Sequence, residues 1–186
     1  MTKQNRHIAR ESTYIGERAI HLKSGRYEAY ALPQYGGNLV ALRDIEDGFR
    51  FLHEPQNMDA YHELPVSFGI PVLFPPNRFE DGKFPWNGNV YQLPINEPER
   101  NNHLHGFFYD VPWEVEFFSA DAYASRLSMV HTVDQNHTAY EYFPHTFTIR
   151  LQYTLNEDGL HKHVMVKNEG TEPMPCLLAF HTSFNA

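Results

Sequence analysis

From Phe147 to Leu155 apolar and polar side chains alternate: Phe147, Ile149, Leu151, Tyr153 and Leu155 fall on one face, and Thr148, Arg150, Gln152 and Thr154 on the other. That period of two belongs to a strand buried on one side only. Asn156-Glu157-Asp158-Gly159 follows with turn chemistry, so Leu160 to Val166 is expected to return as the second arm of a hairpin. The same period marks Arg26 to Leu32, Asn38 to Arg43, Trp113 to Phe118 and Arg126 to Thr132. Thirteen Pro and eleven Gly interrupt the chain too often for long helices, while fourteen Phe and eleven Tyr suit pleated surfaces. The expected fold class is therefore all-β and antiparallel. Between Pro65 and Pro98 the alternation dissolves into seven prolines and three glycines, which predicts a long loop-dominated segment with short strand fragments. Segments of that kind in compact domains usually carry function. No repeat, heptad, low-complexity run or composition shift marks a boundary, so residues 1–186 are expected to form one domain.

Charge narrows the class of partner. Fifteen Lys plus Arg against twenty-three Asp plus Glu leave a formal charge of −8, which repels a phosphate backbone and argues against nucleic acid. Mean hydropathy is −0.54, and no apolar run approaches the roughly 20 residues of a membrane span. Met1 to Arg10 lacks the apolar stretch of a secretory signal, so a cytoplasmic location is expected. The lone Cys176 forms no internal disulfide.

Twelve histidines form the main reserve of chemistry. His7, His21, His53, His62, His131 and His137 lie in polar or mixed surroundings and are expected to be surface or hydrogen-bonded structural residues. His161 and His163 share one face of the returning strand, a spacing able to bind metal, but no carboxylate follows at useful spacing. In Asn101-Asn102-His103-Leu104-His105-Gly106, a Gly that lets backbone approach a ligand sits beside two imidazoles. Either His103 and His105 are paired metal ligands on one strand face, or one moves protons and the other is structural. Asn77-Arg78, after the apolar run Gly69 to Pro76, presents a guanidinium fork suited to a hydroxyl pair or a carboxylate, unless it only rims a solvated loop. Met174 to Phe180 is an apolar, buried-looking run that delivers His181, either a satisfied core histidine or a general acid/base tuned by burial.

Taken in order, these segments resemble the aldose 1-epimerase (galactose mutarotase) family. Tyr35-Gly36-Gly37-Asn38-Leu39 is similar to its early Gly-Gly strand entry, and Gly69 to Arg78 with Asp81-Gly82-Lys83-Phe84 to its Asn-Arg loop. Asn102 to Gly106 with Trp113 downstream is similar to its His-Gly motif, and Asn168-Glu169-Gly170 through Phe184 to the strand carrying its second histidine. The resemblance runs from about Ile20 onward. It implies a large antiparallel β-sandwich that binds a free hexose such as glucose or galactose and interconverts its α- and β-anomers by acid/base ring opening, without cofactor or metal. It further implies sugar-binding roles for Arg78 and its neighbour Asn77, and catalytic roles for His105, near the ring oxygen, and His181, the acid that protonates it.

The family's base, a glutamate, and a sugar-binding aspartate both follow the second histidine, and residues 182–186 contain neither. Glu63, Glu80 and Glu141 are upstream acids that no motif assigns to the base. The resemblance therefore implies the N-terminal portion of a longer enzyme, or a short form that at most binds sugar. One rival reading is a metal-dependent cupin, for which His103-x-His105 and His181-x-x-x-Asn185 fit. Phe107, Phe108 and Tyr109 stand where its acidic ligand belongs, and Asp110 comes one residue late. Another is a non-catalytic carbohydrate-binding module stacking sugar on Trp86, Tyr91 or Trp113. A phosphorylated hexose would have only Arg78 with Lys83 to meet its phosphate. Oligomeric state leaves no trace in the sequence.

Overall fold

In a computed structural model that describes residues 6–185, two antiparallel sheets face each other. The first runs β1 (His7–Tyr14), β2 (Glu17–Ser24), β3 (Tyr27–Leu32), β4 (Asn38–Asp44) and β5 (Phe49–Arg50) in chain order. After it come a short helix α1 (Met58–Glu63) and the small strands β6 (Val72–Leu73), β7 (Arg78–Glu80), β8 (Lys83–Trp86), β9 (Asn89–Gln92) and β10 (Asn102–Leu104). The second sheet runs β11 (Glu114–Ala120), β12 (Ser125–Val133), β13 (Phe147–Asn156) and β14 (Gly159–Asn168), again in chain order. A last strand, β15 (Ala179–Phe180), pairs with β6.

The strict alternation of β13 is realised without exception. Phe147, Ile149, Leu151, Tyr153 and Leu155 are fully buried, and they pack with Ile20, Leu22, Ala29, Ala31 and Leu39 of the first sheet in one core. Burying five such side chains removes the apolar surface whose exposure opposes folding, at about 1.5–3 kcal/mol each. Asn156 pairs with Gly159 across a tight turn, so β14 returns as the alternation predicts.

Three features depart from the sequence expectations. Strand β2 carries no readable period, because Ala19, Ile20, His21 and Leu22 are all buried. A strand covered on both faces loses its alternation. Helix α1 is set by Asn57, whose Oδ1 accepts from the Ala60 amide at 2.9 Å, and by the burial of Tyr61. The run Met174 to Phe180 is not buried as expected: Cys176 is exposed and Leu177, Leu178, Ala179 and Phe180 are half-buried. Its sheet partner among the described residues is the two-residue β6, too short to cover it. Among the described residues no helix is long and apolar enough to cross a membrane.

Candidate functional site

The Pro-rich segment folds back on itself, and this brings separate motifs together. β7 pairs with β10 so that Arg78 lies opposite Leu104 and Phe79 opposite His103. Asn77 adopts a left-handed φ of 68° and its carbonyl accepts from the His105 amide at 3.0 Å. Phe74 and Gly106 form a parallel bridge, and the Phe107 amide donates to the Phe74 carbonyl at 3.2 Å. The Asn-Arg loop and the His-Gly segment are therefore one backbone-bonded unit. β6 extends it to the end of the chain: Leu73 pairs with Ala179, and the His181 amide donates to the Pro71 carbonyl at 3.1 Å.

At this junction the imidazoles of His105 and His181 stand edge to face with centroids 5.5 Å apart. His105 is half-buried, and its Nδ1 has no hydrogen-bond partner among the described residues. Burial lowers its pKa, and the nearby His181 and Arg78 push in the same direction. An ordinary imidazole titrates near 6.5, so His105 is neutral at pH 7 and has both a donor and an acceptor nitrogen. His181 is exposed, so it is not the satisfied core histidine that its apolar approach allowed.

Arg78 is exposed, yet its fork is already occupied. Its Nε donates to Glu97 Oε1 and Oε2 at 3.0 and 2.8 Å, and its Nη2 to Oε1 at 2.7 Å. Glu97 is 7% exposed, accepts from Asn102 Nδ2 at 2.8 Å, and has Arg100 Nη1 at 3.8 Å. Arg78, then Asn102, hold its carboxyl down to about 2. Since the folded pKa lies below the unfolded value of about 4.3, the stability from this pair is complete at neutral pH. It is lost as pH falls from that value toward about 2. The carboxylate that Arg78 meets is thus the protein's own, held through Nε and Nη2. Glu97 escaped sequence reasoning because only the β7–β10 pairing carries it to Arg78; no local pattern marks it.

Two other expectations fail on geometry. His103 and His105 do not share a strand face, because β10 ends at Leu104 and His105 turns to a φ of 64°. His103 is buried with Nδ1 2.7 Å from the Pro94 carbonyl, a structural contact. Gly106 allows close backbone contact with Phe74: a Cβ there would lie 2.1 Å from the Phe74 oxygen. No group of three or more His, Cys, Asp or Glu able to hold a metal occurs among the described residues, so the cupin pattern is not assembled. Trp113 and Tyr91 belong to the core, leaving only Trp86 half-buried among the proposed stacking aromatics. The acids Glu63, Glu80 and Glu141 are all solvent-exposed.

Comparison with known proteins gives these motifs their frame. The family model for aldose 1-epimerase matches residues 18–186. The crystal structure of a galactose mutarotase-like protein from Clostridium acetobutylicum superposes with a TM-score of 0.92 at 33% identity, over 98% of this chain and 55% of that one. The Slr1438 protein of Synechocystis aligns with a TM-score of 0.75 at 25% identity, over 93% of this chain and 57% of its own. An uncharacterized protein of Escherichia coli, YihR, is 26% identical over 164 residues, which are 87% of this chain and 48% of YihR. The chain thus spans about half the length of the relatives it matches.

Proposed function

We propose that this chain, which belongs to the aldose 1-epimerase family, holds a free hexose at the His105–His181 junction and supplies the acid side of its ring opening. A hemiacetal opens when its anomeric hydroxyl loses a proton while the ring oxygen gains one; rotation about C1–C2 and reclosure then give the other anomer. His181, exposed and unobstructed, donates to the ring oxygen, and neutral His105 hydrogen-bonds beside it. Arg78, aimed by Glu97, and the adjacent Asn77 bind sugar hydroxyls. The base belongs to the part of the family's pattern beyond His181. The observation that carries this reading is the meeting of two imidazoles from sequence-distant motifs 5.5 Å apart beside the Arg78–Glu97 pair.

Glu97 offers the test. Glu97→Gln removes the charge that fixes the fork, so glucose or galactose affinity should fall about tenfold, roughly 1.4 kcal/mol, in isothermal titration. Unchanged affinity would take Arg78 out of the sugar site.

A further inference from the structure

The motif Tyr35-Gly36-Gly37-Asn38 supplies no group to the sugar site, yet its last residue is a fully buried polar side chain at the start of β4. The Asn38 side-chain amide is saturated. Oδ1 accepts from the Ile70 amide at 2.8 Å, and Nδ2 donates to the Phe68 carbonyl at 2.9 Å and to the Tyr61 hydroxyl at 3.2 Å. That hydroxyl donates in turn to the Tyr35 carbonyl at 3.2 Å, so Tyr61, buried on α1, ties the amide back to its own turn. An acceptor and a donor on one planar group meet an N–H and a C=O two residues apart, as one residue of a parallel strand does. Gly69 lies between those two bonds and is pressed against β4: a Cβ there would lie 2.5 Å from the Leu39 oxygen and 2.7 Å from the Val40 Cα.

The same strip holds the segment that carries His181. The Ser183 amide donates to the Gly69 carbonyl at 3.0 Å, and the His181 amide to the Pro71 carbonyl at 3.1 Å. His53 closes the unit: its carbonyl accepts from the Gly69 amide at 3.1 Å, and its amide donates to the Ser183 carbonyl at 2.8 Å. Since His181 is exposed and the strand before it is two residues long, these backbone bonds, and not burial, set where its imidazole stands. Resting on the sugar reading above, we propose that Asn38 is a positioning residue: through the strip from Phe68 to Pro71 it holds His181 where a proton can reach the ring oxygen. The requirement is steep, because displacing a reacting group by about 1 Å can cost about 10²-fold in rate. Asparagine suits the task as its relatives do not. Aspartate keeps the acceptor for Ile70 but loses the donor and sets a charge against the Phe68 carbonyl; glutamine, one carbon longer, moves the amide off both partners.

Native-state hydrogen exchange tests this first on the unaltered chain. The Ile70, His181 and Ser183 amides should exchange through one shared opening, distinct from that of the β13 amides. A His181 amide that opens independently of Ile70 would overturn the proposal. Asn38→Asp should speed exchange at all three by at least about tenfold more than in β13, and slow galactose mutarotation at least about tenfold while galactose affinity stays within about threefold. Tyr61→Phe, which takes away only the third partner of the amide, should act in the same direction. Ser125→Ala removes another fully buried hydrogen bond, to the Lys23 carbonyl, and should leave the mutarotation rate unchanged. Equal acceleration at His181 and in β13, or an unchanged rate despite a locally loosened His181, would reduce Asn38 to a structural residue and overturn its positioning role. If the unaltered chain neither binds nor mutarotates galactose, the sugar reading fails, and the shared opening still decides whether Asn38 governs the backbone of His181.

Discussion

His181→Asn is expected to return mutarotation of freshly dissolved galactose or glucose to the buffer rate while hexose affinity stays within about threefold. Asparagine can still hydrogen-bond a hydroxyl but cannot deliver a proton, and a well-placed acid contributes about 10²–10⁴-fold to such a step. Loss of rate at constant affinity is the mark of a group acting mainly in the transition state. Polarimetry reads the rate and calorimetry the affinity. The exposed position of His181 means the substitution leaves the core untouched, so a fall in both quantities together would assign it to binding instead.

The largest effect on stability is expected at Gly106. Its φ is 77°, and a Cβ would sit 2.1 Å from the Phe74 oxygen and 2.7 Å from the Pro75 nitrogen, where only backbone could give way. Gly88 has nearly the same φ, 79°, with nothing within 4 Å of its would-be Cβ. Both alanine variants therefore meet the same left-handed penalty, about 1–2 kcal/mol, and only Gly106→Ala must also break the bridge between the Asn-Arg loop and the His-Gly segment. Urea denaturation should show Gly88→Ala losing about 1–2 kcal/mol and Gly106→Ala at least about 2 kcal/mol more. Equal losses would mean that the bridge is loose and does not fix His105.

The hairpin read most sharply in the sequence, β13 with β14, has one wet and one dry face. β13 and β14 emerge at nearly their predicted bounds because alternation and an Asn-Glu-Asp-Gly turn both report on local structure. β2 did not emerge, since the stretch Ala19 to Leu22 is covered on both sides. At the site, Asn77, Arg78, His105 and His181 stood out as motif residues, and their assembly depends on two short pairings, β7 with β10 and β6 with β15. Glu97 was invisible for the complementary reason: its main partner, Arg78, lies nineteen residues away. The exposure of His181 could not be inferred either, because an apolar run reads as buried whether or not anything covers it.

Histidine side-chain NMR during titration with galactose tests the central claim most directly, because it reports each imidazole separately in the unaltered chain. The ring resonances of His105 and His181 should shift together and saturate with one dissociation constant. Those of His161 and His163, exposed on β14, should stay fixed, as should that of His103, held by the Pro94 carbonyl. Saturable shifts confined to other histidines, or none at any galactose concentration, would contradict a hexose site at the His105–His181 junction.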